Sequence, residues 1–303
     1  MRLVRCLLIS GSAAVMAGSL VLGGEAAVTT MAAGHARPAS ARPSARFVAR
    51  ARTALLGFLR DSNPADSQPG GNDDAAGRLA GRSVRMGTSG PVLSYNWSGY
   101  ADAARTSGTF TGVSGQWRVP QVRCGREDEI SSAWVGLDGF GNGTVEQAGT
   151  VSWCFKGVPT YYTWYEMMPA DAVNVGKSLH PGDKVTARVS RRGTSYTLSL
   201  TDATRPANSF SVTKRCRTCR DTSAEWITER PGFSPTGIVP LADFSLWRMS
   251  KATQTVGRTT GTISGVSSHK IIMVDSTNSY DLSVPSPLRG GGARFATRWL
   301  DSY

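Results

Sequence analysis

The chain has 303 residues, of which 40% are hydrophobic and 18% charged. That supplies apolar material for one or two packed domains and carries too little charge for a disordered chain. Beyond the first two dozen residues no apolar run approaches the roughly 18 residues a membrane helix needs, which excludes a multi-spanning membrane protein.

The net charge of +12 raises the question of anionic partners, but it is divided along the chain. Residues 1–90 hold 11 Arg, no Lys and 5 acids, and the rest shows no dense basic run with interleaved aromatics, so no nucleic-acid partner is expected.

At the N-terminus, Arg2 and Arg5 precede the uncharged stretch Cys6–Gly24, followed by Ala26, Ala27, Ala32 and Ala33. A positive start, an apolar middle and small residues beyond describe a secretory signal peptide over residues 1–27. A secreted, extracellular protein without stable membrane association is therefore expected. Residues 28–90 differ in composition from the remainder of the chain, with Arg37-Pro38, Arg42-Pro43 and scattered Ala and Ser. Phe47, Ala51, Leu55, Phe58 and Leu59 recur at helical spacing among Arg50, Arg52 and Arg60, which predicts one short amphipathic helix. Ser62-Asn63-Pro64 through Gly77 reads as a linker. The stretch is read as a pro-segment, a partner for the domain at residues 91–303.

Cys6 leaves with the signal peptide, and Cys124, Cys154, Cys216 and Cys219 remain, an even set in an oxidising compartment. Four cysteines allow three pairings; joining Cys216 to Cys219 in a tight loop leaves Cys124 with Cys154. A zinc site at Cys216 and Cys219 needs two more ligands, and no His stands within thirty residues of either. Two disulfides and no metal are expected.

From Asn96 onward the chain consists of short alternating runs punctuated by Gly, Pro, Asn and Asp. They include Thr109–Val119, Ala133–Leu137, Tyr161–Glu166, Lys184–Val189, Tyr196–Thr201, Ala224–Glu229, Ile271–Asp275 and Phe295–Leu300. Strands at this spacing predict an all-β domain, an antiparallel sandwich or barrel. Strand alternation sorts their side chains into faces. Ala133, Val135 and Leu137 form a core face; Trp134, Gly136 and Asp138 form the other. Tyr162, Trp164 and Glu166 share a face, as do Val145 and Gln147, and Glu225, Ile227 and Glu229 lie opposite Trp226. Were curvature to gather these faces, Trp134 and Trp164 would wall a groove with Asp138, Gln147, Glu166 and Glu225 on its floor. Such a groove suits a polymer, with aromatic walls for stacking and carboxylates for acid–base work.

Serine nucleophiles fit poorly. There is no G-x-S-x-G elbow, and the histidines are His35, His180 before Pro181-Gly182, and His269 opening a strand beside Lys270. No H-E-x-x-H or EF-hand pattern occurs, so no metal or other cofactor is implied. Glu166 and Glu225 on facing strands would serve a glycoside hydrolase of sandwich architecture, but that mechanism has no use for Gln147. A lectin-like binding module using the same groove without chemistry is a third reading. Asn96-Trp97-Ser98 and Asn142-Gly143-Thr144 match the glycosylation pattern, although both lie within motifs with other uses.

The ordered series Asn96-Trp97-Ser98-Gly99-Tyr100, Val113–Pro120, Ala133–Gly139, Glu146-Gln147-Ala148-Gly149, Trp164-Tyr165-Glu166 and Ala224-Glu225-Trp226-Ile227 resembles the glutamic endopeptidases called eqolisins. The resemblance implies a concanavalin-like, jelly-roll-type β-sandwich and a secreted, acid-acting, pro-segment-bearing endopeptidase of polypeptide substrates, taken as a monomer. It implies a catalytic dyad of Gln147 and Glu225 and substrate contacts by Trp134, Asp138, Trp164 and Glu166. Tyr162 stands where the family pattern often has an acidic residue, and the mature region is basic where the better-known fungal members are acidic.

Overall fold

The computed structural model describes residues 90–233, 237–263 and 268–303; the signal peptide, the pro-segment and its amphipathic helix lie outside the described residues. In chain order the strands are β1 (Val92–Ser94), β2 (Trp97–Ala103), β3 (Phe110–Arg118), β4 (Glu129–Leu137), β5 (Glu146–Phe155), β6 (Val158–Met167), β7 (Ala170–Ser178), β8 (Lys184–Arg192) and β9 (Ser195–Asp202). After a 3-10 turn at Pro206–Asn208 come β10 (Phe210–Arg215), β11 (Ser223–Glu229), β12 (Gly232–Phe233), β13 (Gly237–Ile238), β14 (Leu246–Val256), β15 (Thr259–Gly261), β16 (Ser268–Val274), β17 (Asp281–Pro285) and β18 (Phe295–Trp299). Each of the eight alternating runs falls on a strand.

Hydrogen bonding links them antiparallel in the order β10-β9-β8-β3-β14-β18-β17-β16-β2-β11-β4-β5-β6-β7, with β1 added parallel to β16 and β15 paired to β14. The path turns over at β14. Its first half, Leu246–Met249, pairs with β18; its second half, from Ser250, pairs with β3. Between them the register shifts and Lys251 adopts a φ of +51°. A bulge of this kind lets one strand leave a layer and join the facing one. The result is a two-layer sandwich, a smaller layer of β3, β8, β9 and β10 on a larger one running from β18 to β7.

The core between the layers takes one alternation set from each strand: Val135 and Leu137 from β4, Trp117 from β3, Val185 from β8, Leu198 and Leu200 from β9, Trp226 from β11. Two indoles fasten the layers by polar tips as well as area. Trp117 Nε1 donates to Thr150 Oγ1 at 3.1 Å and Trp226 Nε1 to the Ser114 carbonyl at 2.9 Å. Truncating such a residue to Ala costs about 3–5 kcal/mol. The larger layer is apolar on its other face too, where Trp97, Trp134, Trp153, Tyr162, Trp164, Ile227 and Ile271 form a second cluster. That second face carries the site.

Disulfides join Cys124 to Cys154 and Cys216 to Cys219. The first ties the segment after β3 to the end of β5. Asn96 and Asn142, the two glycosylation-pattern residues, are buried. The Asn142 amide nitrogen is committed to Asp138 and Thr222, so in the folded domain neither is placed to carry a glycan.

Candidate active site

Strand register assembles the site. Ala101 of β2 pairs with Glu225 of β11, Glu225 with Gly136 of β4, Gly136 with Gln147 of β5, and Gln147 with Glu166 of β6. Directly opposed residues of an antiparallel ladder point to one face, so Glu225, Gln147 and Glu166 project together. At about 4.8 Å per strand, the backbones of Glu225 and Gln147 stand about 10 Å apart. The residue between them is glycine, and the Trp134 ring closes over it where a side chain would stand. A Cβ there would lie 2.9 Å from Trp134 Cζ3 and 3.4 Å from Gln147 Cβ.

The amide of Gln147 is held from its far side, where Nε2 donates to Glu166 Oε2. Its Oε1 is buried with no partner among the described residues. Burial pushes the Glu166 carboxyl up to about 7, with the Gln147 hydrogen bond pulling down and Asp171 pushing further up. Glu225 is fully buried, and neither of its oxygens closes a hydrogen bond of good geometry among the described residues. Burial drives its carboxyl well above the ordinary range; the nearby Ser223 hydroxyl and Phe140 amide pull down, and Asp138 and Glu146 push up.

The indoles lie beside this row. Trp134 meets Trp97 edge-on, with centroids 4.9 Å apart, and its Nε1 donates to Glu229 Oε2 at 2.8 Å. Trp164 pairs across the ladder with Gly149, where an added Cβ would strike the Ala133 carbonyl at 2.2 Å.

Asp138 is placed differently from the others. Just past β4 its φ is +65°, which takes it off the strand alternation. Its carboxylate accepts from the backbone amides of Arg220, Asp221 and Thr222 and from the side chains of Asn142, Thr144 and Thr222. It anchors the segment 220–222, which enters β11 at Ser223 three residues before Glu225 at the nearest, and among the described residues no hydrogen bond joins it to the Gln147 amide. Asp138 therefore positions the strand that bears Glu225, whereas Glu166 is the group that grips Gln147.

Two groups at the site were not singled out in the sequence. Glu229 shares the alternation set of Glu225, and that was its only signal; it holds Trp134 and also accepts from Asn96 Nδ2 at 3.4 Å. Burial pushes its carboxyl up to about 8, helped by the nearby Glu166 charge. Glu146 precedes Gln147 and so points into the sandwich, where its Oε1 lies 2.7 Å from Cys219 Sγ. Burial, Asp138 and Asp221 raise its pKa well above the ordinary range. Potential metal ligands gather at Glu146, Cys216 and Cys219 and at Asp138, Glu146 and Asp221. The two sulfurs are joined to each other, the Asp138 lone pairs are taken, and Asp221 is held by Tyr196 at 2.8 Å and Arg191 at 3.1 Å.

Glu166 and Glu225, the pair a glycoside hydrolase would use, are three strand spacings apart with Gln147 between them. That separation, about 14 Å at the backbone, suits neither carboxylate geometry of a glycosidase as well as it suits a dyad with Gln147. Among the described residues no helix is long and apolar enough to cross a membrane.

Known proteins carry the same pattern. The family model described as the Peptidase A4 family matches residues 95–286. Aspergillopepsin-2 of Aspergillus niger is 29% identical over 199 residues, 57% of this chain and 69% of that protein. Scytalido-glutamic peptidase, solved with a transition state analog inhibitor, superposes with a TM-score of 0.58 at 22% identity, covering 68% of this chain and 98% of that one. SCP-B, a member of the eqolisin family solved with the tripeptide Ala-Ile-His, superposes with a TM-score of 0.52 at 21% identity over the same shares. At these identities the superpositions speak for the fold, and the family match spans well over half of the sequence, from before β2 to the end of β17: the chain belongs to the Peptidase A4 family, enzymes that hydrolyse peptide bonds.

Proposed function

We propose that the protein is a secreted endopeptidase working in acid, in which Gln147 and Glu225 together activate water and stabilise the tetrahedral intermediate. The observation that supports it most is the register that sets an amide and a carboxyl on one face with only Gly136 between them. Glu225 as carboxylate takes a proton from water as the water oxygen bonds to the scissile carbonyl carbon. An N–H of Gln147 receives the developing oxyanion. Protonated Glu225 then gives its proton to the amide nitrogen as the C–N bond breaks. Burial raises the Glu225 pKa, which makes the carboxylate a stronger proton acceptor once formed and the scarcer form in acid. Trp134 and Trp164 provide the apolar walls against which a polypeptide lies.

Glu166 gives the site an upper pH limit. Ionised, it accepts from Gln147 Nε2, the arrangement present here, and the unpartnered Oε1 is left for the reaction side. A carbonyl oxygen there repels an oxyanion. Protonated, Glu166 donates to Oε1 instead, the amide turns over, and both N–H groups are free for the oxyanion. Activity is therefore expected to fall as pH rises through about 7, the Glu166 value.

Residues 1–27 are read as the signal peptide and 28–90 as a pro-segment whose arginines pair with site carboxylates and loosen as these protonate. Zymogen activation that speeds up in acid and in salt supports the second reading; salt-independent activation rejects it. The activity itself is tested by digesting casein in mild acid with the mature domain and with Glu225→Gln. Wild-type cleavage and an inert variant are expected; normal turnover by Glu225→Gln contradicts the dyad, and sugar release from polysaccharides in place of peptides contradicts the peptidase.

A further inference from the structure

His269 takes no part in the chemistry above, yet it belongs to the same row. On β16 it pairs with Ala101 of β2, which pairs in turn with Glu225. Glu225 thus has a small residue on either side, Gly136 and Ala101, and a polar side chain beyond each, Gln147 and His269. Both outer backbones stand about 10 Å from that of Glu225. A second observation fixes the imidazole at the site. Its ring lies against Phe140, with centroids 4.9 Å apart at 31°, and the Phe140 amide is one of the groups facing Glu225.

The surroundings of His269 are apolar or acidic. Ala101 faces it from β2, Ile271 shares its face on β16 and pairs in turn with Gly99 and Val92, Phe140 lies against its ring from the loop after β4, and Glu225 stands across Ala101. Lys270 pairs with Tyr100, a residue of the inter-layer core, and so projects to the other face. Within the row from β16 to β6, His269 is the one basic side chain, half-buried, with Glu225 the nearest carboxyl along the row.

On the dyad reading, a peptide extended along the row with its scissile carbonyl between Gln147 and Glu225 passes over Ala101. From Gly136 to His269 is three strand spacings, about 14 Å, so at about 3.3 Å per residue the peptide reaches His269 about four residues from the scissile bond. We infer that His269 is a specificity-determining residue, whose imidazolium receives an Asp or Glu side chain of the substrate on that flank. Both partners carry charge only within a window. The substrate carboxylate needs a pH above about 4, and the imidazole, whose pKa burial lowers, needs a pH under its ordinary 6.5.

The test is a set of peptides with Glu, or Gln in its place, at each position flanking one cleavage site, digested at pH 3, 5 and 7. The quantity read is the Glu-to-Gln ratio of kcat/KM within each enzyme, so any general loss of activity in a variant cancels. At one position about four residues from the bond, wild type should favour Glu about fivefold at pH 5, with the preference gone at pH 3 and at pH 7. His269→Gln should flatten the ratio at pH 5, and His269→Lys should restore it and carry it to pH 7. An undiminished preference in His269→Gln, or no Glu preference at any position in wild type, overturns the assignment while leaving the dyad standing. Failure of wild type to cleave any of the peptides sinks both.

Discussion

Glu146, Glu166, Glu225 and Glu229 are chemically the same group, and burial raises the pKa of each. Neighbours give them different work. Glu229 holds an indole, Glu146 faces a disulfide, Glu166 grips an amide, and Glu225 has only the Ser223 hydroxyl and the Phe140 amide near it, neither in a bond of good geometry. A buried carboxyl without partners is costly and persists where reactivity needs it. Replacing Glu225 by Gln keeps the volume and removes the proton shuttle; kcat should fall by about 10³-fold or more, with the near-UV circular dichroism unchanged. Gln147→Ala removes the oxyanion donor and should lower kcat by about 10²- to 10³-fold. Glu166→Gln supplies a partner for the Gln147 amide that does not titrate. In the pH profile of kcat/KM its fall near 7 should disappear, and a fall that stays in place refutes the amide turnover.

Strands and their connections decide whether those groups meet. Gly136 on β4 lets the Trp134 ring close down between β5 and β11, so Gly136→Ala should raise KM and lower kcat together, because its methyl would sit 2.9 Å from that ring and displace it. Asp138→Ala frees the Arg220–Thr222 segment from its carboxylate anchor and lets β11 shift. It should cost activity through a misplaced Glu225 and be visible as faster amide exchange at 220–222, where a purely substrate-binding role would leave exchange unchanged. At this scale the sequence is readable where period two holds. The faces of β4, β6 and β11 follow from alternation alone, because a one-residue slip would drive Trp226 and Val135 out of the core. The anchoring by Asp138 does not follow, since its positive φ takes it off the alternation that grouped it with Trp134; its substrate contact was implied by the resemblance alone, and the anchor does not bear on it. Nor does the crossing of β14 between layers, which depends on a bulge at Ser250–Thr253 without a Gly or Pro to mark it.

For the whole molecule, burying four carboxyls ties folding to pH. Each has a folded pKa above its unfolded value, so between the two values the folded state holds protons the unfolded chain has released. Stability is then full below the unfolded pKa and declines as pH rises through the folded one. Glu166, at 4.5 when unfolded and about 7 here, alone loses about 3 kcal/mol across that interval. The Tm of the mature domain should be higher at pH 4.5 than at pH 8.5; a Tm that rises with pH contradicts the burial of these groups. Long-range neighbourhood was the least readable feature of the sequence. Nothing local says that β11, beginning at Ser223, inserts between β2 and β4, and six ordered motifs pointed to the site only through their family resemblance. The central claim is that this insertion makes Gln147 and Glu225 one catalytic unit. A double-mutant cycle on kcat tests it most directly, with Gln147→Ala, Glu225→Gln and the pair measured on one peptide. The pair should be no slower than Glu225→Gln alone; losses that multiply would show two independent residues and contradict the account.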